Sequence, residues 1–366
     1  MNRHVKVATT LRQASDLIEN GLAPASTLAD LEKVAARYAV AVTPAVAALI
    51  DSSDPDDPIA RQYIPSVDEL NALPHENADP IGDHAHAPVD GIVHRYPDRV
   101  LFKLVHVCAV YCRFCFRREM VGPGKETALS REAYAAALDY VRNHDEIWEV
   151  ILTGGDPLML SPRRLSEIMA DLAAIPHVKI IRLHTRVPVA DPGRVSAEMV
   201  DALKVTGAST WVALHANHPR ELTDAARASC ALMVDAGIPM VSQSVLLRGV
   251  NDDAATLTAL MRGFVECRIK PYYLHHGDLA PGTAHLRTTI TEGQALMRAI
   301  RGNVSGLCQL DYVLDIPGGY GKAPIGPEYL SGNSSISLKP DGEASAESVY
   351  RVVDYCGDVH IYPPKS

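Results

Sequence analysis

The chain has 366 residues, of which 47% are apolar, and it carries a formal net charge of −9. This length allows one large barrel or two ordinary domains with a substantial core. The negative charge argues against nucleic acid as the main partner, and the absence of an uninterrupted apolar run of eighteen residues argues against a membrane span.

The cysteines give the first local signal. There are seven of them, an odd number, and the residues after Met1 lack the apolar segment of a secretory signal. Together these features predict a cytoplasmic protein without a disulfide framework. Three cysteines, at positions 108, 112 and 115, fall within eight residues, which indicates a metal site.

Residues 1–94 are predicted to form a mainly helical N-terminal region. Apolar periodicity favours helices near residues 10–20, 27–38 and 44–50, and a loop-like acidic stretch follows at residues 52–90. From residue 326 to residue 366 we expect an irregular C-terminal extension with a hairpin near residue 357. This division leaves residues 95–325 as the main domain.

The main domain alternates short apolar runs with amphipathic segments. The predicted strands are residues 101–107, 147–152, 178–183, 210–214, 239–243 and 269–274. The helices between them include one capped by Ser130, one that starts at Ser161 and Pro162, and one over residues 221–235. This alternation predicts parallel βα units, in either a partial (β/α)6 barrel or a doubly wound open sheet. Polar clusters follow all six strands, where barrels build their sites, so we favour an α/β protein with a partial barrel.

The motif Cys108-Ala-Val-Tyr-Cys112-Arg-Phe-Cys115 follows the first predicted strand. Three thiolates on one loop can ligate three irons of a 4Fe–4S cluster and leave the fourth iron open. The alternatives are a zinc site and plain buried cysteines, but no further Cys or His pair completes a zinc site here. The C-x3-C-x2-C pattern resembles the signature of the radical SAM superfamily, in which S-adenosylmethionine (SAM) binds the open iron and is cleaved to a radical.

A glycine-rich segment, Gly154-Gly155-Asp156-Pro157, follows the second predicted strand. It resembles the glycine-rich strand end of the same superfamily. The resemblance implies that Gly154 and Gly155 let the backbone approach SAM closely and that Asp156 meets its ammonium group. By itself, such a glycine pair usually marks only a turn.

A second constellation centres on a lysine among glycines, in Asp315-Ile-Pro-Gly-Gly-Tyr-Gly-Lys322. Such a lysine can enter a tight site and bind pyridoxal 5′-phosphate (PLP) covalently as a Schiff base. Arg95 and Arg99, with Tyr96 between them, offer guanidinium groups that suit a phosphate. Taken singly, each of these residues could equally lie on the surface.

These segments together resemble the lysine 2,3-aminomutase family over residues 43–330. The match includes the stretch Gln243-Ser-Val-Leu-Leu-Arg-Gly-Val-Asn-Asp252 and Pro271-Tyr-Tyr273. For the cofactors, the resemblance implies that Lys322 holds PLP, with Arg95, Tyr96 and Arg99 around its phosphate, and that SAM lies near Arg186, His215 and Gln243. For the substrate, it implies that Arg117 binds the carboxylate and that Asp278 and Asp315 receive the ε-ammonium group.

The predicted function is therefore the conversion of L-lysine to β-lysine by 2,3-migration of the amino group, with a 4Fe–4S cluster, SAM and PLP as cofactors. A lysine site needs anions near the ε-ammonium group because an unpaired buried charge is costly. The open alternatives are the same chemistry on another amino acid, supply of β-lysine for modification of an elongation factor, and a non-catalytic iron–sulfur protein. We expect an electron donor for the cluster, a homodimer is compatible with the sequence, and no structural zinc site is predicted because the C-terminal region offers only Cys356.

Overall fold

The computed structural model describes residues 7–122, 127–338 and 344–362. Its helices are α1 (Ala14–Glu19), α2 (Leu28–Arg37), α3 (Pro44–Ala47), α4 (Ala60–Tyr63), α5 (Arg131–Arg142), α6 (Pro162–Ala173), α7 (Val187–Ala190), α8 (Ala197–Ala202), α9 (Asp224–Asp235), α10 (Ala254–Glu266) and α11 (Ile290–Ile300). Its strands are β1 (Ile92–Tyr96), β2 (Arg99–Val105), β3 (Glu149–Gly154), β4 (Ile180–Thr185), β5 (Ser209–His215), β6 (Met240–Val245), β7 (Ile269–His275), β8 (Asp311–Ile316), β9 (Gly321–Pro324), β10 (Leu330–Leu338), β11 (Ala344–Val353) and β12 (Val359–Tyr362). Short 3-10 helices lie at Ala25–Thr27, Val67–Leu70, His84–His86, Pro157–Met159, Pro192–Arg194, Pro219–Glu221, Ala284–Leu286 and Gly306–Cys308.

The first nine strands form one sheet, in the sequential order β1 to β9. Neighbouring strands from β2 to β8 pair in parallel, whereas β1 and β9 pair antiparallel at the two edges. The six predicted strands correspond to β2–β7, and the predicted α/β class with a partial barrel is confirmed. The strand β8 is a seventh parallel strand that we did not predict, because acidic residues at positions 311 and 315 interrupt its apolar run.

The longer helices pack against this sheet through one apolar stripe each. The residues that α6 buries recur at intervals of three or four, which places them on one face of the helix: Leu165, Ile168, Met169 and Leu172. Ser130 and Ser161 cap α5 and α6 as predicted. Helix α9 begins later than predicted because Thr223 supplies its N-cap. In the three described ranges, no helix has the length and apolarity needed to cross a bilayer.

The N-terminal region packs directly against the cysteine loop. The four short helices α1–α4 contribute to a second apolar cluster, which includes Leu17, Val42, Ile59 and Tyr63. Val110, between the first two cysteines of the motif, belongs to the same cluster. The loop that carries the cysteines is therefore packed on one side against the N-terminal region. The predicted division at residues 94 and 325 remains a prediction.

The C-terminal extension is more regular than predicted. The strands β10, β11 and β12 form a separate three-stranded antiparallel sheet. The turn between β11 and β12, where the backbone N–H of Asp354 donates to the Asp358 carbonyl at 3.0 Å, corresponds to the predicted hairpin. The expectation of irregular structure was wrong for residues 331–337 because they are rich in serine and lack the apolar alternation of a half-buried strand.

Candidate active site

A cavity of about 580 Å³ lies inside the partial barrel. Its wall includes residues at the carboxyl ends of β3 to β6, where βα barrels place their sites. Every residue predicted for the site lines this cavity: Arg95, Tyr96, Arg99, Cys108, Cys112, Cys115, Arg117, Gly154, Gly155, Asp156, Arg186, His215, Gln243, Asp278, Asp315 and Lys322. The volume is in the range of small-molecule sites.

The three cysteines lie on the loop that follows β2. The chain turns there, with the backbone N–H of Cys115 donating to the Cys112 carbonyl at 3.1 Å. All three thiols are free, and burial raises their pKa values, to about 11 for Cys115. Within the described ranges, no group of three or more His, Cys, Asp or Glu side chains is arranged to hold a metal ion. A 4Fe–4S cluster makes a different demand, because each thiolate binds its own iron.

Gly154 and Gly155 are required by a close approach of two backbone segments. A Cβ atom at Gly154 would overlap the Val105 carbonyl, and one at Gly155 would overlap the backbone of Val107. The Gly155 N–H also donates to the Val105 carbonyl at 2.5 Å. The two glycines therefore let the end of β3 lie against the start of the cysteine loop, a reason that differs from the expected approach to SAM.

The carboxylate of Asp156 is engaged by the protein itself. Its Oδ1 accepts from the Leu158 N–H at 3.0 Å and from the Thr185 hydroxyl at 2.8 Å, and its Oδ2 accepts from the Arg186 N–H at 2.7 Å. These bonds join the ends of β3 and β4. The geometry supports a role in fixing these strand ends, and it gives no support to the predicted contact with an ammonium group.

The Arg186 guanidinium group lies beside the cysteine loop. Its Nη1 donates to Cys112 Sγ at 3.2 Å, and its Nη2 donates to Glu221 Oε1 at 2.6 Å and to Gln62 Oε1 at 2.8 Å. Glu221 is buried and also accepts from the Tyr63 hydroxyl at 3.0 Å. Arg186 is thus fixed next to Cys112, one of the three predicted cluster ligands. Hydrogen bonds to ligating sulfurs are one means by which proteins set a cluster potential.

Two further arginines of the cysteine loop share one buried carboxylate. Arg113 donates from Nε to Glu69 Oε1 at 2.9 Å and from Nη2 to Oε2 at 2.5 Å, and Arg118 pairs with the same Oε2. Arg113 Nη1 also donates to the Ala39 carbonyl at 2.8 Å. Since Glu69 is fully buried, these pairs attach the loop firmly to the N-terminal region.

Lys322 lies opposite Asp315 on the paired strands β9 and β8. Its Nζ contacts Asp315 Oδ1 at 2.6 Å, and its backbone N–H donates to the Tyr96 hydroxyl at 2.7 Å. His275 Nδ1 lies 3.3 Å from the second oxygen of Asp315. Burial alone would raise the pKa of Asp315, but His275 and Lys322 hold it well below its usual value. Asp315 is therefore a carboxylate that already receives an ammonium group.

Asp278 follows β7 and lines the same cavity. Burial and the charge of Asp315 raise its pKa to about 7. Two carboxyl groups that face the same space favour a cation between them. Without a cation, repulsion between the two negative charges keeps one of the carboxyl groups protonated. This pair is suited to a ligand ammonium group.

The hairpin of β1 and β2 carries Arg95, Tyr96 and Arg99. The Arg99 guanidinium carbon lies 3.8 Å from the centre of the Tyr96 ring. Arg95 Nη2 donates to Asp83 Oδ1 at 3.0 Å, and Arg95 Nε is buried without a partner. A buried donor that lacks a partner indicates a place for a ligand acceptor.

Arg117 shares the carboxylate of Asp83. Its Nε and Nη2 donate to Asp83 Oδ2 at 3.2 and 2.9 Å, and its Nη1 lies 3.5 Å from Thr153 Oγ1. The two arginines predicted for different ligands are therefore attached to one acidic residue of the N-terminal region.

His215 and Gln243 lie on the strands β5 and β6. The Gln243 amide donates to His184 Nε2 at 2.9 Å, whereas His215 Nε2 is buried without a partner. Burial lowers the pKa values of His184 and His215 well below the usual histidine value. Each ring is therefore neutral and keeps one acceptor nitrogen. The ring of Phe114, from the cysteine loop, lies 5.7 Å from that of His215.

Comparison with known proteins identifies the family. The model of the radical SAM superfamily matches residues 102–260. The L-lysine 2,3-aminomutase of Clostridium subterminale is 41% identical over 295 residues, which are 81% of this chain and 70% of that protein. The chain belongs to the lysine 2,3-aminomutase family.

Other relatives in the family differ in their named substrate. The L-lysine 2,3-aminomutase of Methanococcus maripaludis is 39% identical over 330 residues, which are 90% of this chain and 76% of that protein. The glutamate 2,3-aminomutase of Clostridioides difficile is 35% identical over 300 residues, which are 82% of this chain and 70% of that protein. A solved radical SAM methyltransferase from Sphaerobacter thermophilus is 21% identical over 61% of this chain and 68% of its own, with a TM-score of 0.42.

Family membership implies a 4Fe–4S cluster and SAM, and the cavity fits both groups. Three thiols on its wall suit the cluster, and they lie on the loop whose position is fixed by the N-terminal region and by the end of β3. The unpartnered Nε2 of His215 offers a polar contact for a ligand beside this loop.

The acidic and amide residues that hold the arginines of this lysine 2,3-aminomutase family member in place were not predicted from the sequence. These residues are Gln62, Glu69, Asp83 and Glu221. The signal that could have indicated Glu69 and Asp83 is the presence of three arginines within and after the cysteine motif, because buried guanidinium groups require carboxylate partners. That signal indicates that partners exist but not where in the chain they lie.

Proposed function

We propose that this protein is a radical SAM, PLP-dependent aminomutase that converts L-lysine to β-lysine by migration of the amino group from C2 to C3. One observation carries the proposal: Asp278 and Asp315 face the same cavity as Lys322 and the three cysteines. A substrate with a second ammonium group is the ligand that such a carboxylate pair suits.

PLP fits the residues on one side of this cavity. Lys322 brings a primary amine, Arg95 and Arg99 bring guanidinium groups, and the Nε of Arg95 is buried without a partner. The stacking of Arg99 on Tyr96 and the bond from the Lys322 backbone to the Tyr96 hydroxyl keep these groups together. In this proposal, Lys322 holds PLP and the two arginines, with Tyr96, bind its phosphate.

The remaining residues of the proposal position the substrate. Arg117 would bind the α-carboxylate, and the ε-ammonium group would take the place beside Asp315 that Lys322 Nζ occupies in the structure. Cys108, Cys112 and Cys115 would hold the cluster, with Arg186, His215 and Gln243 near SAM. When bound, these cofactors supply a carbon-centred radical and a conjugated π system that delocalises an unpaired electron. The protein contributes orientation and the exclusion of water.

The deciding experiment is anaerobic reconstitution with iron, sulfide, PLP, SAM and a reductant, followed by product analysis from L-lysine. The same assay with L-glutamate, L-arginine and L-ornithine tests the substrate, because the carboxylate pair should repel the γ-carboxylate of glutamate. Asp278→Asn and Asp315→Asn are matched variants that remove one charge each and should lower lysine turnover strongly. Turnover of glutamate in preference to lysine, or lysine turnover unchanged in both variants, would contradict the proposal.

A further inference from the structure

Asp83 contacts two arginines to which the proposed function assigns different ligands. Its Oδ1 accepts from Arg95 Nη2 at 3.0 Å, and its Oδ2 accepts from Arg117 Nη2 at 2.9 Å and Nε at 3.2 Å. Only 2% of the Asp83 residue surface is exposed. Burial alone would raise the pKa of Asp83, but Arg117, Lys103 and Arg95 lower it below its usual value, so the carboxylate stays ionised.

The contacts with Asp83 use one edge of each guanidinium group, and the other edge of each group faces the cavity wall. A guanidinium group has five N–H donors in a rigid fork. Arg117 places its Nε edge on Asp83, which leaves Nη1 near Thr153 on the cavity wall. Arg95 uses Nη2 on Asp83 and on the Ile81 carbonyl at 2.7 Å, its Nη1 lies 3.9 Å from Asp315 Oδ1 on the cavity wall, and its Nε has no partner. Asp83 thus fixes the orientation of both guanidinium groups through N–H donors that point away from the proposed ligands.

Asp83 is itself held in place by its surroundings. Its backbone N–H donates to Asp79 Oδ1 at 2.8 Å. The preceding Gly82 lies against the backbone of Gly319 so closely that a Cβ atom there would overlap it, and His86 Nε2 contacts the Gly319 carbonyl at 2.9 Å. The segment that carries Asp83 is therefore packed against the loop that leads to Lys322.

We propose that Asp83 is a positioning residue that orients Arg95 and Arg117 together and so couples the PLP phosphate site to the site of the substrate carboxylate. This inference rests on the proposed function, which assigns those ligands to the two arginines. Because one carboxylate orients both groups, its loss weakens the binding of both ligands, whereas loss of a local contact affects only one of them.

The test compares Asp83→Asn with the wild-type chain in two binding measurements that need neither SAM nor turnover. PLP affinity is measured by titrating PLP into the full chain and recording its visible absorbance, and lysine affinity by the absorbance change that lysine causes in the PLP-loaded protein. Both affinities should fall about tenfold or more, the effect of a lost charged hydrogen bond. Asp90→Asn is the matched control, since it removes the same charge from an exposed position of the same segment and should leave both affinities within about twofold.

Unchanged affinity for either ligand in Asp83→Asn would overturn the inference. Tighter binding of PLP or lysine would also overturn it, because Asp83 would then compete with these anionic ligands for the arginines. Asp83→Glu keeps the charge but moves the carboxylate by one methylene, so both affinities should fall together by about threefold or more. If Asp83→Asn does not fold, Asp83→Glu decides, and an unchanged affinity for either ligand then refutes the coupling. Failure of the proposed function gives a different result, because the wild-type chain would then bind no PLP or show no response to lysine.

Discussion

The raised pKa of Asp278 leads to a quantitative prediction for lysine binding. Burial and Asp315 raise this pKa to about 7, and only the ionised carboxylate attracts the ε-ammonium group. The apparent dissociation constant should therefore scale with 1 + 10^(pKa − pH), which is about 11 at pH 6 and about 1.1 at pH 8. Lysine affinity should rise about tenfold over this interval, while Asp315, whose pKa the hydrogen bond with His275 also lowers, stays ionised throughout.

The assay measures the lysine-induced absorbance change of the PLP-loaded protein between pH 6 and pH 8, in the wild type and in Asp278→Asn. The variant should bind lysine weakly at every pH, and its remaining pH dependence reports the amino groups of lysine itself. The ratio of the two dissociation constants therefore isolates Asp278. A ratio that stays constant from pH 6 to pH 8 would refute this reasoning.

Three further predictions concern stability and the cluster site. Asp278→Asn should raise the unfolding temperature at pH 8 but hardly at pH 4. Because the pKa of Asp278 is raised in the folded protein, its ionisation destabilises the fold, and this cost is complete above about pH 7. The variant should therefore gain at most about 4 kcal/mol in the free energy of unfolding. Equal gains at both pH values in thermal unfolding would contradict this. Gly155→Ala should lower both the free energy of unfolding, by about 1–3 kcal/mol, and the iron bound after reconstitution, because its Cβ atom would overlap Val107. Gly306→Ala, whose Cβ atom would meet nothing within 4 Å, is the control for denaturant unfolding and iron analysis, and equal effects in both variants would count against the argument. Arg186→Gln leaves the buried Glu221 without its cationic partner and should cost about 3–5 kcal/mol in unfolding experiments, part of which a second change, Glu221→Gln, should restore. No recovery in the double variant would argue against this pairing.

The sheet could be predicted from the sequence because the strands β2–β7 are short apolar runs between well-capped helices. Burial on both faces of a parallel strand produces such runs, and hydroxyl caps such as Ser130 and Ser161 mark where the helices begin. The strand β8 lacks this signal because Asp311 and Asp315 interrupt its apolar run, and Asp315 lines the cavity. A charged residue of the cavity wall thus obscured the fold signal.

The cavity-lining residues were accessible to sequence reasoning, but their supporting contacts were not. The cysteine and lysine motifs are local patterns, so their positions could be read from a few residues each. The partners of the arginines lie far away in the chain: Asp83 is 34 residues from Arg117, Glu69 is 44 residues from Arg113, and Gln62 is 124 residues from Arg186. No periodicity or spacing connects such pairs, because they are formed only when the chain folds.

The acidic residues that pair with the arginines of the cysteine loop lie outside the stretch of chain that matches the superfamily. This limits which segments of the protein can be exchanged between relatives. Residues 102–260 contain the three cysteines predicted to bind iron, but Glu69 and Asp83 precede that stretch and Lys322 follows it. A barrel cut out near residue 95 would keep its cysteines and expose arginines without counterions. Chimeras made from two relatives should therefore inherit residues 57–95 together with the barrel from the same parent.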